Sequence, residues 1–145
     1  MPDYMPDILL VDDDRYSVEF ILEALTNHNL GYRVKVFRDG GEVLNYLFPA
    51  EENNRNDSYG PPKVIILDLK LPKVNGFEVL RSVRASEKTQ IIPVVVFTSS
   101  TDDGDRVESY TLGANSYIVK PFDYDSFVNT AAEIGIYWTS QNMPP

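Results

Sequence analysis

Five residues of this chain have types and positions that could do chemistry together: Asp12, Asp13, Asp68, Thr98 and Lys120. Each stands at the end of a short strand-like run. Ile8-Leu9-Leu10-Val11 leads into Asp12-Asp13-Asp14, and Val64-Ile65-Ile66-Leu67 into Asp68. Pro93 to Phe97 leads into Thr98-Ser99-Ser100, and Ser116 to Val119 into Lys120-Pro121. Clustered carboxylates repel one another unless a cation joins them. An incomplete set of oxygen ligands suits magnesium, which keeps waters and leaves room for a substrate phosphate. Lysine is a point charge for phosphate oxygens, and threonine offers a hydroxyl to the same group. These are the parts of phosphoryl transfer, where catalysis is mostly positioning and charge neutralisation. Asp68 is the candidate nucleophile, with metal carboxylates on one side and Lys120 on the other.

Such a set acts together only if the fold collects it. Continuous apolar runs of four or five residues are the pattern of strands buried on both faces. Between them lie helical stripes. Val18, Ile21, Leu22 and Leu25 recur at i, i+3, i+4 and i+7, while Phe77, Leu80 and Val83 follow Pro72 and Gly76. A short helix is predicted around Val43, Leu44 and Leu47, and a weaker one over Asp103 to Leu112, closed by Gly113. A last helix is predicted over Tyr124 to Trp138, with Phe127, Ala131, Ile134 and Trp138 on one stripe and Asp123 as N-cap. Tyr32 to Phe37 alternates like an edge strand, with Val34 and Val36 on one face. Pro49 to Pro62 reads as a surface loop. Strands alternating with helices imply an α/β fold, a doubly wound five-stranded parallel sheet. In such sheets ligands bind at the carboxyl ends of the strands, which is where the five residues stand.

Taken singly, each residue has a plainer meaning. An aspartate after a strand is commonly a helix cap or turn former. Asp14 fits that role at the start of the first helix, and Asp39 reads as a turn residue beside Gly40 and Gly41, where the chain is expected to break. A lone lysine before proline is usually a solvated surface group. The combination on one rim is what points to chemistry.

The 145 residues fit one domain, with a core over about 7–138 and no separate output domain. A 43% hydrophobic content suffices for a core, and a net charge of −9 makes a poor partner for nucleic acid. The absence of cysteine excludes disulfides, zinc thiolates and cysteine nucleophiles. The N-terminal residues lack the basic and apolar regions of a signal peptide, and no run is long enough to span a membrane. A cytoplasmic protein is expected.

Four blocks carry a resemblance: Ile8 to Asp13; Ile66 to Pro72 with Gly76; Val95 to Ser99; and Val119-Lys120-Pro121-Phe122. In this order and at these separations they resemble the signature blocks of two-component response-regulator receiver domains. The resemblance implies a flavodoxin-like fold with strand order 2-1-3-4-5. It implies that Asp68 accepts a phosphoryl group from a sensor histidine kinase. Magnesium would be held by Asp13 directly, by Asp12 through water, by Asp68 and by the carbonyl of Lys70. Thr98, Ser99 and Lys120 would contact the phosphoryl group. Thr98 and Tyr117 would form the switch, and the Lys120–Pro121 bond would be cis. The positions of Lys70 and Ser100 are ones that tune acyl-phosphate lifetime in this family. The Pro49–Pro62 loop and the terminal Ile136-Tyr137-Trp138 resemble the small regulators paired with bacterial phytochromes. In those regulators the face built from the fourth helix, fifth strand and fifth helix tends to form homodimers.

Three other readings meet specific objections. A magnesium-dependent aspartyl phosphatase of the haloacid-dehalogenase type wants an acid two residues after its nucleophile, where this chain has Lys70. A flavodoxin carries its phosphate loop after the first strand, whereas Thr98-Ser99-Ser100-Thr101 follows the fourth. A receiver fold serving as a phosphorylation-independent binding module has no need of the full acidic set.

Overall fold

The apolar runs become strands. In the computed structural model, which describes residues 6–50 and 61–145, β1 (Ile8–Val11), β2 (Val34–Phe37), β3 (Val64–Leu67), β4 (Val94–Thr98) and β5 (Ser116–Val119) alternate with helices. The helices are α1 (Arg15–Asn27), α2 (Gly40–Leu47), α3 (Gly76–Ala85), α4 (Asp103–Thr111) and α5 (Tyr124–Ile136). All strand pairs are parallel, in the order β2-β1-β3-β4-β5 expected from the sequence. The predicted loop from Pro49 to Pro62 falls largely outside the described residues.

Strand periodicity splits the core into two layers. Ile8, Leu10, Val64, Ile66, Val95 and Phe97 face α1 and α5, packing on Val18, Ile21, Leu25, Phe127 and Ala131. Leu9, Val11, Ile65, Leu67, Val94 and Val96 face the other way, onto Val43, Val79, Leu80 and Val83 of α2 and α3. The three central strands are buried from end to end. Their polar successors are therefore the first groups along each strand able to reach solvent or one another.

Each helix starts with a side-chain cap. Asp14, Asp39, Asn75, Asp102 and Asp123 accept hydrogen bonds from backbone N–H groups of the first turns. Asp39, read as a turn former, thus starts α2, and both of the glycines expected to break the chain lie in its first turn.

Two element ends differ from the sequence pattern. The edge strand β2 begins at Val34, because Ile8, where β1 starts, pairs with that residue. Gly31–Arg33, ahead of that pairing, forms a 3-10 turn. The last helix keeps regular spacing to Ile136 and then widens into a π turn over Tyr137–Gln141. There the Thr139 hydroxyl donates to the Gly135 carbonyl at 2.7 Å, competing with the backbone ladder.

The loop after β3 is held by close backbone contact. The Gly76 N–H donates to the Leu69 carbonyl at 2.9 Å. A Cβ at Gly76 would lie 2.4 Å from the Asp68 carbonyl oxygen and 2.6 Å from the Leu69 Cα. Gly40 makes a similar approach from α2, where a Cβ would meet the Val74 carbonyl oxygen at 2.0 Å. The loop carrying Asp68 is thus fixed on two sides by positions with no room for a side chain. Gly76→Ala is expected to cost about 2–3 kcal/mol, the scale of a forced backbone shift. Urea unfolding of the variant against the parent chain measures it, and an unchanged midpoint would remove the contact from the account.

Candidate functional site

The strand ends place four of the five candidate side chains in one cluster. Asp12 follows β1 and is 1% exposed; its N–H donates to the Phe37 carbonyl at 3.0 Å. Asp68 follows β3, is 8% exposed, and donates its N–H to the Val11 carbonyl at 2.9 Å. Lys120 follows β5 and is 7% exposed, with its N–H donating to the Thr98 carbonyl at 2.7 Å. From there its side chain turns inward. The Lys120 ammonium donates to Asp12 Oδ2 at 2.8 Å, to Ser17 Oγ at 3.0 Å and to Asp68 Oδ2 at 3.2 Å. Asp13 is exposed beside them. One oxygen from each of Asp12, Asp13 and Asp68 lies within 4.8 Å of the others.

The remaining carboxylate oxygens are also engaged. Asp68 Oδ1 accepts the Leu69 N–H at 2.7 Å, and Asp12 Oδ1 accepts the Asp14 N–H at 2.9 Å. Burial nevertheless pushes the Asp12 carboxyl up from 3.8 to about 6; Lys120 pulls the other way and the Asp68 charge adds to the rise. Burial alone would lower the Lys120 value. The charges of Asp12 and then Asp68 outweigh it, and the ammonium ends above its ordinary range. Three carboxylates against one ammonium leave the cluster with an excess of negative charge. An oxygen-only donor set of this charge and spacing fits a hard divalent cation such as magnesium.

Thr98 sits at the end of β4, 1% exposed, and its hydroxyl accepts the Ser100 N–H at 3.4 Å. Ser99 and Lys70 are exposed. Tyr117 is half-buried against the layer that faces α2 and α3, and its hydroxyl donates to the Ser100 carbonyl at 3.0 Å. The Tyr117 N–H donates to the Tyr110 hydroxyl at 3.1 Å. Ser100 also reaches α4, its hydroxyl donating to Asp105 Oδ2 at 2.6 Å. One short loop therefore joins Thr98 to Tyr117 and to the first turn of α4.

One expectation is corrected. No peptide bond among the described residues is cis, so Lys120–Pro121 is trans. The lysine meets its three partners from the trans isomer, which is the one X–Pro bonds generally favour, by about 0.5–1 kcal/mol.

Ser17 is the contact that motif reasoning missed. It lies in the first turns of α1, is 5% exposed, and donates its hydroxyl to Asp14 Oδ2 at 3.1 Å. Its one sequence signal is a polar residue next to Val18, on the inward stripe of a helix that starts at the acidic rim.

A doubly wound sheet with an acidic pocket at the carboxyl ends of its strands, and a lysine arriving from the last strand, defines the class: a receiver-type signalling domain. The chain belongs to the response regulator receiver domain family, whose model matches residues 8–132. It is 38% identical over 138 residues to the probable methanogenesis regulatory protein FilR2 of Methanothrix harundinacea (strain 6Ac), covering 95% of this chain and 86% of the relative. Among solved structures it is similar to the phosphorylated cyanobacterial phytochrome response regulator RcpA, with a TM-score of 0.84, 32% identity, and 97% and 99% of the two chains covered. It is also similar to the bacteriophytochrome response regulator RtBRR, with a TM-score of 0.72, 47% identity, and 97% and 84% covered. Among the described residues no helix is long and apolar enough to cross a membrane.

The raised Asp12 value has a defined sign. The folded state holds this proton to higher pH than the unfolded state, so the group's favourable contribution is full below about pH 4 and is lost as pH rises through about 6. In magnesium-free protein, Asp12→Asn should therefore gain stability relative to the parent between these limits, by on the order of 1–3 kcal/mol, and then level off. Denaturant titrations of both proteins from pH 4 to 7.5 measure the difference. A difference that is flat with pH would mean that Asp12 carries its charge without penalty.

Proposed function

We propose that Asp68 accepts a phosphoryl group from a sensor histidine kinase in a magnesium-dependent reaction, and that the α4–β5–α5 face passes the signal on. The observation that carries this reading is the Lys120 ammonium, buried between the acceptor carboxylate and Asp12. A carboxylate is a weak nucleophile, and a phosphoryl donor brings further negative charge to a pocket that already has an excess. The residues present address that charge. Asp12, Asp13 and Asp68, with the Lys70 carbonyl, would hold magnesium, which neutralises charge on carboxylate and phosphoryl oxygens when bound.

In the transfer, an Asp68 carboxylate oxygen forms a bond to phosphorus as the bond from phosphorus to the donor's imidazole nitrogen breaks. The imidazole leaves with its electron pair, and Asp68 becomes an acyl phosphate. Lys120 then pairs with a phosphoryl oxygen. Thr98 and Ser99 donate hydroxyls to the same group. Because the Thr98 hydroxyl also accepts from Ser100, and Ser100 holds Tyr117 and Asp105, a new bond at Thr98 biases the whole β4–α4 loop. Tyr117 and Thr98 are thus the switch, acting on an equilibrium that exists before phosphorylation. The domain promotes its own phosphorylation and dephosphorylation and is otherwise not an enzyme.

The similarity to RcpA and RtBRR supports a bacterial phytochrome as the kinase. The output in this reading is a homodimer through α4–β5–α5. Exposed Val107, Tyr110 and Val119 on that face supply apolar area for such contact. The same reading takes the chain as a single cytoplasmic receiver unit with its core over about 7–138, signalling by protein contact.

Intact-mass spectrometry tests the reading directly. The protein is incubated with a small phosphodonor, with magnesium or with chelator, beside Asp68→Asn. One phosphoryl adduct is expected with magnesium, little with chelator, and none on Asp68→Asn. An adduct that persists on Asp68→Asn would move the acceptor elsewhere. If none forms on the parent chain, even with the kinase of a similar regulator, the fold serves as a phosphorylation-independent binding module.

A further inference from the structure

Lys120 has three ammonium protons and three acceptors, so its donors are fully used. Two of those acceptors, Asp12 and Asp68, are carboxylates with other tasks in the proposed reaction. The third is Ser17, which is neutral. A serine hydroxyl has a single proton, and that of Ser17 goes to Asp14 Oδ2 at 3.1 Å. Its lone pairs are therefore left to face the ammonium at 3.0 Å. Asp14 is itself fixed, because its other oxygen caps α1 by accepting the Tyr16 N–H at 3.1 Å. The chain Asp14 to Ser17 to Lys120 runs from the start of a helix to the phosphoryl site without using a ligand of that site.

We propose that Ser17 is a positioning residue for Lys120: it keeps one hydrogen bond on the ammonium while the carboxylates are engaged in phosphoryl transfer. This inference rests on the reading of Asp68 as phosphoacceptor. A lysine held only by Asp12 and Asp68 would lose its partners together as those carboxylates take up other ligands, and its flexible stem would swing. With Ser17 the head group pivots about a fixed neutral acceptor and stays within reach of the phosphoryl oxygens. Ser17 touches neither the acceptor nor the phosphoryl group and acts through the lysine alone.

The experiment compares phosphorylation rates with a small phosphodonor and magnesium for the parent, Ser17→Ala, Ser17→Thr, Lys120→Ala and the double variant Ser17→Ala with Lys120→Ala. Ser17→Ala is expected to slow transfer about tenfold, the usual weight of one hydrogen bond to a charged group. Ser17→Thr keeps the hydroxyl and should restore most of the rate. In the Lys120→Ala background, removing Ser17 should change nothing further, because the two act as one unit. Ser17→Cys, close in size and a weak acceptor, should repeat the Ala result and serves if Ser17→Ala does not fold. A second arm uses metal-free protein: the Lys120 ammonium protons, followed by nitrogen-15 NMR, should exchange with solvent several-fold faster in Ser17→Ala. A parental rate in Ser17→Ala, or the same loss with and without Lys120, would overturn the proposal in favour of a purely structural serine in α1. If the parent chain takes no phosphoryl group, the acceptor reading fails, while unchanged exchange in the NMR arm sinks the Ser17 inference independently.

Discussion

A buried ammonium between two buried carboxylates governs this structure. Lys120 ties the end of β5 to the ends of β1 and β3 through Asp12 and Asp68, across 108 and 52 residues of chain. Charges taken out of water need partners with good geometry, and removing one member leaves the others exposed to the full cost of burial. The lysine therefore works as a cross-strand clasp at the same rim where the acidic groups must stay close. That rim carries more negative charge than a single lysine balances, so it is poised to take up cations and to resist a further anion unless one is present.

The rest of the fold serves to hold that rim. Central strands buried end to end carry no charged residue until they finish, which forces the charged residues to a common level. The β3–α3 loop behind Asp68 is confined by Gly76 on one side and Gly40 on the other, both lying against backbone. At the opposite end of the sheet, Arg84 of α3 donates to the carbonyls of Gln90, Ile92 and Gly113 and to the Asn115 side chain at 2.8 to 3.0 Å. The N-terminal side of β4 and β5 is thereby fastened to α3. The site end of these strands is joined to α4 through Ser100 and Tyr117. The two ends of the sheet are thus tied to different helices, and the tie nearest the acidic rim is the one that passes through the loop after Thr98.

Much of this was legible in the sequence. The apolar runs at Ile8–Val11 and Val64–Leu67 coincide with strands, because a strand buried on both faces needs an unbroken apolar segment and ends where the first charge appears. The caps at Asp14 and Asp123 were legible for an equally local reason. Less local features were not. The start of β2 depends on where β1 begins, and the π turn after α5 depends on a threonine bonding one turn back. The role of Asp39 depends on the helix that follows it. The isomer of Lys120–Pro121 was inferred from a resemblance, and the fold places the lysine without it.

The sequence by itself determined which residues stand at the carboxyl ends of the strands, and hence the acidic rim, its lysine and the family. These follow from burial and periodicity, which act over a few residues. Tertiary structure alone decided that the Lys120 ammonium turns inward to meet Asp12, Ser17 and Asp68, that Asp12 is buried deeply enough to hold its proton to about pH 6 while Asp13 remains exposed, and that Ser100 joins Thr98 to α4. Those outcomes depend on how α1 and α4 dock on the sheet. Docking is set by the packing of two apolar layers drawn from the whole chain, and no local pattern encodes it.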